Sequence, residues 1–361
     1  MRYHNESIII KVPALLTELI ENGFLSLSRQ NPSQFSNQIS FELENQTHVF
    51  IHAPGIIEFK PKDPAQKAIV LSCGIHGNET APIEILDSFV DQLLKQIKVA
   101  EQRVLFLFGN LPAMDIGERF CEENLNRLFS GAHSEPPGLI NDERKRAKRL
   151  EQAVSEFYLK GDSILQSEER YHYDLHTAIR ASKNEKFAVY PLLHDRLHSR
   201  SQLAFLSASG VNTILLSESP TTTFSYFSST QLNAHAFTVE LGKVKPFGEN
   251  DMSRFIAVRD NLHGLVCDTN YSPPSVALSE ILVYKVNQVI NKQSNEFTLL
   301  FAEDMPNFSD FPKGSLLATE GDTQYIAQYE GEAIVFPNAN VALGQRALLT
   351  VIPTTLEKSC E

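Results

Sequence analysis

The chain has 361 residues, of which 42% are hydrophobic, and a formal net charge of −12 at pH 7. The hydrophobic content is sufficient for a packed core, and the length accommodates one large α/β domain with a smaller one beside it. The negative charge argues against a nucleic-acid or anionic-membrane partner, because phosphate groups are bound mainly by clustered Lys and Arg. An anionic small molecule would need a local pocket of cations.

The sequence also argues against secretion and membrane insertion. No stretch approaches the roughly eighteen consecutive apolar residues of a membrane span. The N-terminal run "MRYHNESIIIKVPALL" lacks an uncharged hydrophobic core followed by a small-residue cleavage site. Four scattered cysteines form no CxxC pair, so reduced thiols in the cytoplasm are the simplest interpretation. We therefore predict a soluble, cytoplasmic protein.

The predicted elements divide the chain into three parts. Residues 1–66 form an N-terminal segment with a β hairpin within 38–60, packed on the next part. Residues 67–272 form the domain that carries the candidate catalytic residues described below. In it, a β-α-β unit with parallel strands is predicted from "KAIVLSC", an amphipathic helix and "RVLFLFGN". A charged helix, predicted to be solvated, starts near residue 141, and four further strands follow it. Residues 273–361, with short β runs separated by turn residues, predict a smaller β-rich domain.

The first candidate site is the stretch "GIHGNETAPIEIL", which follows a predicted strand and contains His76 and Glu79. A second histidine, His176, ends another strand in "YHYDLHT", with Asp174 two residues before it on the same face. Two imidazoles and one carboxylate are a common catalytic zinc set. Asp174 could orient an imidazole. Taken singly, each group has a structural alternative, such as a loop histidine beside a glutamate favoured by a helix dipole.

The second candidate is Glu240, which interrupts the apolar strand "FTVELGK" near its carboxyl end. A carboxylate there is costly unless it is solvated, paired or functional. The alternative is a rim residue paired with Lys243 or Lys245. The position of Glu240 at the carboxyl end of a sheet strand favours a base that takes a proton from an attacking water.

The loop "ERFCEENLNRLF" carries a third set of candidates, Arg119, Asn126 and Arg127. Guanidinium groups bind carboxylates bidentately and can polarise a carbonyl. A solvated loop with surface arginines is the alternative. Arg180, just past His176, is a further candidate for a substrate carboxylate, and a surface arginine is its alternative reading.

Four motifs in this order, "GIHGNETAPIEIL", "ENLNRLF", "DLHTAIR" and "TVELGKVKPFGEND", resemble those of the aspartoacylase and succinylglutamate desuccinylase family of zinc carboxypeptidase-like hydrolases. The resemblance covers roughly residues 70–255. It implies a mixed, mainly parallel sheet flanked by helices, with a smaller C-terminal β domain. Four ordered motifs are far more specific than any single one.

The resemblance also implies roles for the candidates. His76, Glu79 and His176 match the ligands of one Zn²⁺ per subunit, and Glu240 matches the general base. Arg119 resembles the residue that polarises the scissile carbonyl, and Asn126 and Arg127 resemble a pair that holds a substrate carboxylate.

The implied reaction is hydrolysis of N-succinyl-L-glutamate to succinate and L-glutamate, the last step of arginine succinyltransferase catabolism. The nearest alternative is an aspartoacylase-like N-acylamino-acid amidohydrolase with the same zinc machinery. From a different class, a non-catalytic metal- or anion-binding protein is the other alternative, although no ligand or base is missing from the motifs. The oligomeric state is not predictable from the sequence.

Overall fold

The computed structural model describes residues 12–63, 65–159, 168–194, 196–356 and 360. The first eleven residues, on which the signal-peptide prediction partly rests, lie outside the described residues. The helices are α1 (Val12–Asn22), α2 (Phe24–Gln30), α3 (Thr80–Leu94), α4 (Leu111–Ile116), α5 (Asp142–Leu159), α6 (Arg200–Ala208), α7 (Phe224–Gln231) and α8 (Ile256–Cys267). The strands are β1 (Ile39–Glu42), β2 (His48–Ala53), β3 (Ile56–Lys60), β4 (Lys67–Cys73), β5 (Arg103–Phe108), β6 (Glu169–Ala178), β7 (Phe187–Tyr190), β8 (Thr213–Leu216), β9 (His235–Lys243), β10 (Leu282–Asn291), β11 (Thr298–Leu299), β12 (Ser309–Phe311), β13 (Leu316–Glu320), β14 (Thr323–Ile326), β15 (Glu332–Val335) and β16 (Arg346–Thr354).

One large mixed sheet organises the molecule. Within the described part of the chain, thirteen strands join it in the order β1-β2-β3-β5-β4-β6-β9-β7-β8-β10-β16-β15-β12. Strands β5, β4, β6 and β9 are parallel neighbours at its centre, and β7 runs antiparallel to β9. The predicted mixed, mainly parallel core of an α/β protein is confirmed. The carboxyl ends of β4, β6 and β9 therefore meet at one edge of the sheet.

Helices cover both faces of the central strands, which explains why β4 and β5 are buried along their length. Alternate residues of β4 point to opposite faces. Ile69 and Leu71 pack in the core cluster that contains the apolar stripe of α3, whereas Ala68 and Val70 pack in the cluster that contains α5. The predicted β-α-β unit thus has a core on each side.

Helix α5 differs from its prediction as a solvated helix. Its outer positions are charged, but Ala147, Leu150 and Val154 recur at helical spacing and are buried against the sheet. Glu143 and Arg144, in its first turn, are also buried. The charge content of the stretch concealed an amphipathic helix with an apolar inner stripe.

The C-terminal strands extend the large mixed sheet. Strand β10 pairs in parallel with β8 and antiparallel with β16, and β15 and β12 continue outward. A small second sheet, β11-β13-β14, contributes to a core cluster with residues of β10, β15 and β16. Hydrogen-bonded strands therefore cross both predicted domain boundaries, 66/67 through the β3–β5 pair and 272/273 through the β8–β10 pair.

Candidate active site

Three parallel strands bring the predicted site residues together. His76 and Glu79 lie in the connection between β4 and α3, and His176 lies near the end of β6. Glu240 on β9 is the register partner of His176. All four side chains are buried. The carboxyl edge of the sheet thus assembles residues that are up to 164 positions apart in the sequence, from His76 to Glu240.

The two glycines of the His76 loop are required by close packing. Gly74 has φ +63, and a Cβ at this position would lie 2.0 Å from the Met114 Cε atom. A Cβ on Gly77 would lie 2.2 Å from the backbone carbon of Ala113. A larger residue at position 77 would force the α4 backbone away from the loop, and one at position 74 would be strained by the positive φ and would displace the Met114 side chain.

His76, Glu79 and His176 form a group that can hold a metal ion. One ligand atom from each lies within 4.8 Å of the others. Among the described residues, this is the group of His, Cys, Asp or Glu side chains close enough to share a metal ion. The Nδ1 atom of His76 lies 2.8 Å from Glu79 Oε1, and the Nδ1 atom of His176 lies 2.8 Å from Glu79 Oε2.

The other ring nitrogen of each histidine is held by an oxygen acceptor. His76 Nε2 lies 2.9 Å from Asn124 Oδ1, which also accepts a hydrogen bond from the Asn126 backbone N–H. His176 Nε2 lies 2.9 Å from Asp174 Oδ2. If each Nε2 donates its proton to these oxygens, each Nδ1 directs a lone pair towards the Glu79 carboxylate.

A nitrogen lone pair that faces a carboxylate oxygen is repelled by it unless a cation lies between the two atoms. In agreement, the buried His76 Nδ1 has no hydrogen-bond partner despite its proximity to Glu79. The donor set of two imidazole nitrogens and one carboxylate suits a divalent transition metal. The residues present therefore fit a metal site.

The charges around this group act in opposite directions. Burial and the nearby Arg119 lower the pKa of His76 to about 4, so its imidazole is neutral at pH 7. Burial alone would raise the pKa of Glu79, but His76, His176 and Arg119 hold it well below its usual range. His76 and Glu79 therefore have the protonation states that bind metals. Burial lowers the pKa of His176, but Asp174 and Glu79 outweigh burial and raise it well above its usual value, so metal binding displaces a proton from this imidazole.

Glu240 is a buried carboxylate with one unpartnered oxygen. Its side chain is 7% exposed, and its Oε2 atom makes no hydrogen bond. It forms no ion pair with Lys243 or Lys245 among the described residues, so the rim alternative does not describe its surroundings. Burial, together with the negative charge of Glu79, raises the pKa of Glu240 to about 7. A carboxyl group with that pKa can both accept and return a proton near neutral pH.

The loop with Arg119 and Arg127 is anchored by the first turn of α5. The Oε1 atom of Glu143 accepts hydrogen bonds from the backbone N–H groups of Cys121 and Glu122, at 2.7 and 3.2 Å. Arg144 forms a bidentate pair with Glu123, at 2.7 and 2.9 Å. These buried contacts fix a segment that has little regular secondary structure.

Of the predicted cations of this loop, Arg119 contacts the metal group and Arg127 lines the same cavity. Arg119 Nη1 donates to Glu79 Oε1 at 2.7 Å, and the arginine side chain is 28% exposed. Asn126 is buried, and its Oδ1 accepts from the Phe224 backbone N–H, so its amide N–H groups remain available. Arg127 donates to the Asn126 carbonyl at 2.8 Å.

A cavity of about 1150 Å³ joins these groups to the C-terminal strands. Arg119, Arg127 and Arg180 line it from the catalytic part, and Arg346 at the start of β16 lines it from the other side. Arg180 Nε donates to the Pro337 carbonyl at 2.9 Å, which ties the loop after β6 to the C-terminal wall. The cavity also contains the metal group and Glu240.

Three of these guanidinium groups form no ion pair with a carboxylate among the described residues: Arg127, Arg180 and Arg346. Glu303 also lines the cavity, and its negative charge acts on Arg180. The Nε atom of Arg346 and the Nη1 atom of Arg180 are buried without a hydrogen bond. Burial and the neighbouring Arg346 lower the pKa of Arg127 to about 9, and burial with Arg119 lowers that of Arg346 to about 10. Both remain cationic at pH 7, in a chain whose net charge is −12.

The structure brings together every residue that the sequence predicted for the site, and it adds others. Asn124 holds His76, and Arg346 faces the same cavity from the C-terminal part. Asn124 lies within the quoted "ENLNRLF" motif, which was a usable signal. Arg346 had none, since nothing near it in the sequence indicates a pocket.

Comparison with known proteins agrees with this geometry. Residues 65–266 match the model of the succinylglutamate desuccinylase/aspartoacylase catalytic domain. The chain belongs to the succinylglutamate desuccinylase/aspartoacylase family. Residues 279–354 match the AstE/AspA barrel-sandwich hybrid domain, which covers the C-terminal strands. The family resemblance predicted from the four motifs is confirmed.

Relatives in this family are similar over nearly their whole length. A succinylglutamate desuccinylase of Pseudoalteromonas atlantica is 59% identical over 95% of this chain and 98% of its own. One from Shewanella sp. is 49% identical over 94% of this chain and 98% of its own. The crystal structure of succinylglutamate desuccinylase from Chromobacterium violaceum superposes with a TM-score of 0.81 at 37% identity, covering 93% and 98% of the two chains.

The comparisons and the site identify this chain as a hydrolase of that family that acts on an amide bond. In the described residues, no helix is long and apolar enough to cross a membrane.

Proposed function

We propose that the protein converts N-succinyl-L-glutamate and water to succinate and L-glutamate, using one Zn²⁺ per subunit. The 59% identity to a desuccinylase carries the proposal, because the match covers 95% of the chain rather than the metal motifs alone. The reaction is the last step of arginine succinyltransferase catabolism, and we place it in the cytoplasm.

His76, Glu79 and His176 would hold the metal. Both histidines would bind through Nδ1, because Asn124 and Asp174 occupy the two Nε2 atoms. When bound, Zn²⁺ supplies Lewis-acid polarisation of water and of the amide carbonyl. The buried protein groups around it decide where protons and charges go.

Glu240 acts as the general base and then as the general acid. Its unpartnered Oε2 takes a proton from the attacking water, and the same carboxyl group then donates that proton to the departing amide nitrogen. A pKa of about 7 suits both steps, because neither the acid nor the carboxylate form is scarce at neutral pH.

Arg119 polarises the scissile carbonyl. Its guanidinium pairs with Glu79 on one side and lines the cavity on the other, so its remaining N–H groups can donate to the carbonyl oxygen as negative charge develops there. Because Arg119 is only 28% exposed, that hydrogen bond forms in partly desolvated surroundings.

The three carboxylates of the substrate pair with cations of the cavity that form no ion pair in the free protein. Asn126 and Arg127 hold one carboxylate beside the scissile amide, and Arg180 and Arg346 bind the others from opposite walls of the cavity. Each guanidinium that pairs with a carboxylate removes the desolvation penalty that it otherwise carries. A triply charged acyl-amino acid therefore matches the cavity better than a neutral peptide.

The test is amine release by the zinc-loaded protein from N-succinyl-L-glutamate, beside N-acetyl-L-aspartate and a chelator-treated sample. We expect chelator-sensitive hydrolysis with a strong preference for the succinyl substrate. A preference for the acetyl substrate would instead assign an aspartoacylase-like amidohydrolase. Zinc binding without turnover of either compound would assign a non-catalytic binder.

A further inference from the structure

A chain of buried polar side chains lies behind the metal group, and the mechanism above uses only Asp174 from it. Ser72 is on β4, His172 and Asp174 are on β6, and Ser228 is on α7. All four residues are 0% exposed. The edge of the His172 ring packs against Phe224, with ring centroids 4.6 Å apart. Buried polar groups in such apolar surroundings must be hydrogen-bonded to be tolerated.

The hydrogen bonds run in one direction. The Ser72 hydroxyl donates to Asp174 Oδ1 at 2.6 Å, so the single hydroxyl proton of Ser72 goes to Asp174. The remaining contact of Ser72 Oγ, 2.8 Å to His172 Nε2, must then receive its proton from the imidazole. His172 Nδ1 carries the lone pair and accepts from the Ser228 hydroxyl at 2.7 Å.

This assignment requires a neutral His172. Burial lowers the pKa of His172 to about 4, against which the nearby Asp174 acts only in part. A neutral imidazole has one donor and one acceptor, and both are used here. The last link is the bond from His176 Nε2 to Asp174 Oδ2, at 2.9 Å.

We propose that Ser72 and His172 are positioning residues that fix the Asp174 carboxylate, and through it direct the Nδ1 lone pair of His176 towards the metal. Asp174 receives one proton donor on each oxygen, so its plane cannot rotate without breaking one of the two bonds. The tautomer and orientation of His176 then follow from a chain that begins on α7. This inference rests on the proposed metal site.

The need of buried polar groups for hydrogen bonds explains this arrangement less well than a positioning role does. Apolar side chains at Ser72, His172 and Ser228 would fill the same space without any polar group to satisfy. All three instead donate towards the one carboxylate that contacts a metal ligand. Partners of that kind typically change metal affinity 10- to 100-fold when they are lost.

The experiment measures the Zn²⁺ dissociation constant by chelator competition with the full-length protein. We expect Ser72→Ala to weaken zinc binding by roughly five- to fiftyfold, since one donor to Asp174 is lost. Ser209→Ala is the matched control. Ser209 is 1% exposed and donates to the Phe205 carbonyl on α6, outside this chain of hydrogen bonds. We expect it to leave the constant within twofold.

A pair of amide variants at residue 172 tests the direction of the chain. In His172→Gln the side-chain amide reaches the position of Nε2 and can still donate to Ser72. In His172→Asn it reaches only the position of Nδ1, so the donor to Ser72 is lost. We expect His172→Gln to bind zinc within threefold of the wild type and His172→Asn to resemble Ser72→Ala.

Thermal unfolding of each metal-free variant separates positioning from stability. Unchanged zinc affinity in Ser72→Ala would overturn the inference. The inference would also be overturned if zinc affinity fell in proportion to the melting temperature across all variants, Ser209→Ala included. Such a correlation would indicate a structural role. Failure of the wild type itself to bind zinc would instead refute the proposed function, and His76→Ala provides the reference for complete loss of the site.

Discussion

The two sides of the cavity differ in how their polar groups are satisfied. On the sheet side, behind the metal ligands, the Nε2 atom of His176 and both oxygens of Asp174 have partners at 2.6 to 2.9 Å. On the opposite side, the Nε atom of Arg346 is buried without a hydrogen-bond partner. The groups behind the metal ligands are hydrogen-bonded before any ligand arrives, whereas Arg346 on the arginine wall forms no ion pair among the described residues.

The difference follows from what each side must do. Metal ligands have to be held in a fixed geometry, and neighbouring parallel strands supply it through the His176–Glu240 register and the polar residues beneath it. A cationic wall binds an anionic ligand through N–H donors that have no partner in the free protein. Unpaired buried donors cost free energy in the free protein, and substrate binding recovers it.

Removal of a metal ligand should have the largest effect. We expect His76→Ala to lose zinc and to reduce turnover of N-succinyl-L-glutamate by about 10⁴-fold or more, because the polarisation of water and carbonyl is lost together. Metal content and steady-state kinetics measure both. His48→Ala is the control, since His48 is half exposed and pairs with Glu42 on the surface. Normal zinc content in His76→Ala would contradict the ligand assignment.

Removal of the base should leave the sheet side intact. We expect Glu240→Gln to keep its zinc while kcat falls by about 10²- to 10⁴-fold, the usual contribution of a positioned general base. Glu249→Gln, at an exposed position in the following loop, should behave as the wild type. A Glu240→Gln variant with full activity would refute the role of Glu240.

Removal of a wall arginine should act on the substrate and not on the metal. We expect Arg346→Met to lower kcat/KM for N-succinyl-L-glutamate by roughly 10- to 150-fold, because a hydrogen bond to a charged group contributes about 1.5–3 kcal/mol. Zinc affinity should not change, and Arg346→Lys should recover part of the loss.

Substrate analogues identify the carboxylate that Arg346 binds. For an analogue that lacks that carboxylate, wild type and Arg346→Met should have equal kcat/KM values. Arg259→Met is the control, because Arg259 pairs with Asp260 on the surface. An equal loss on every analogue would show that Arg346 supports the wall without binding a carboxylate.

Acid should weaken the sheet side through His172. The pKa of this residue is about 4 in the folded chain and 6.5 when unperturbed, so the unfolded state binds more protons between these values. Its contribution to stability is complete above pH 6.5 and is lost as the pH falls towards 4. We expect about 2 kcal/mol of unfolding free energy to be lost between pH 7.5 and pH 5.

Urea unfolding of metal-free wild type and His172→Gln at both pH values measures this loss. Other buried groups also titrate, His76 with a pKa of about 4 among them, so the prediction concerns the difference between the two proteins. His172→Gln should lose about 2 kcal/mol less than the wild type. Identical losses would mean that His172 is not held neutral.

Local patterns were sufficient to select the candidate residues of the sheet side, and the resemblance of four motifs to a family supplied their roles. His76 and Glu79 directly follow a buried strand, and His176 and Glu240 lie near the ends of two others, so the topology of parallel strands places them at one edge. The central sheet and its helices follow from apolar periodicity in the same way. The charge content of α5, in contrast, hid its inner apolar stripe.

The arginine wall and the outer part of the sheet depend on contacts between distant residues. Arg346 reaches the cavity because β10 pairs with both β8 and β16, and no periodicity within residues 276–361 specifies those partners. The same pairing means that deletion of 276–361 would expose the edge of β8. Point substitutions such as Arg346→Met are therefore the better test of what the C-terminal strands contribute.

The most direct test of a preformed metal site is anomalous diffraction at the zinc edge from crystals of the zinc-loaded protein. We predict one peak per chain, at about 2.0–2.1 Å from the Nδ1 atoms of His76 and His176 and at a similar distance from a Glu79 oxygen. The Asn124 and Asp174 contacts should remain on the two Nε2 atoms. A peak elsewhere, or ligation through Nε2, would contradict the account.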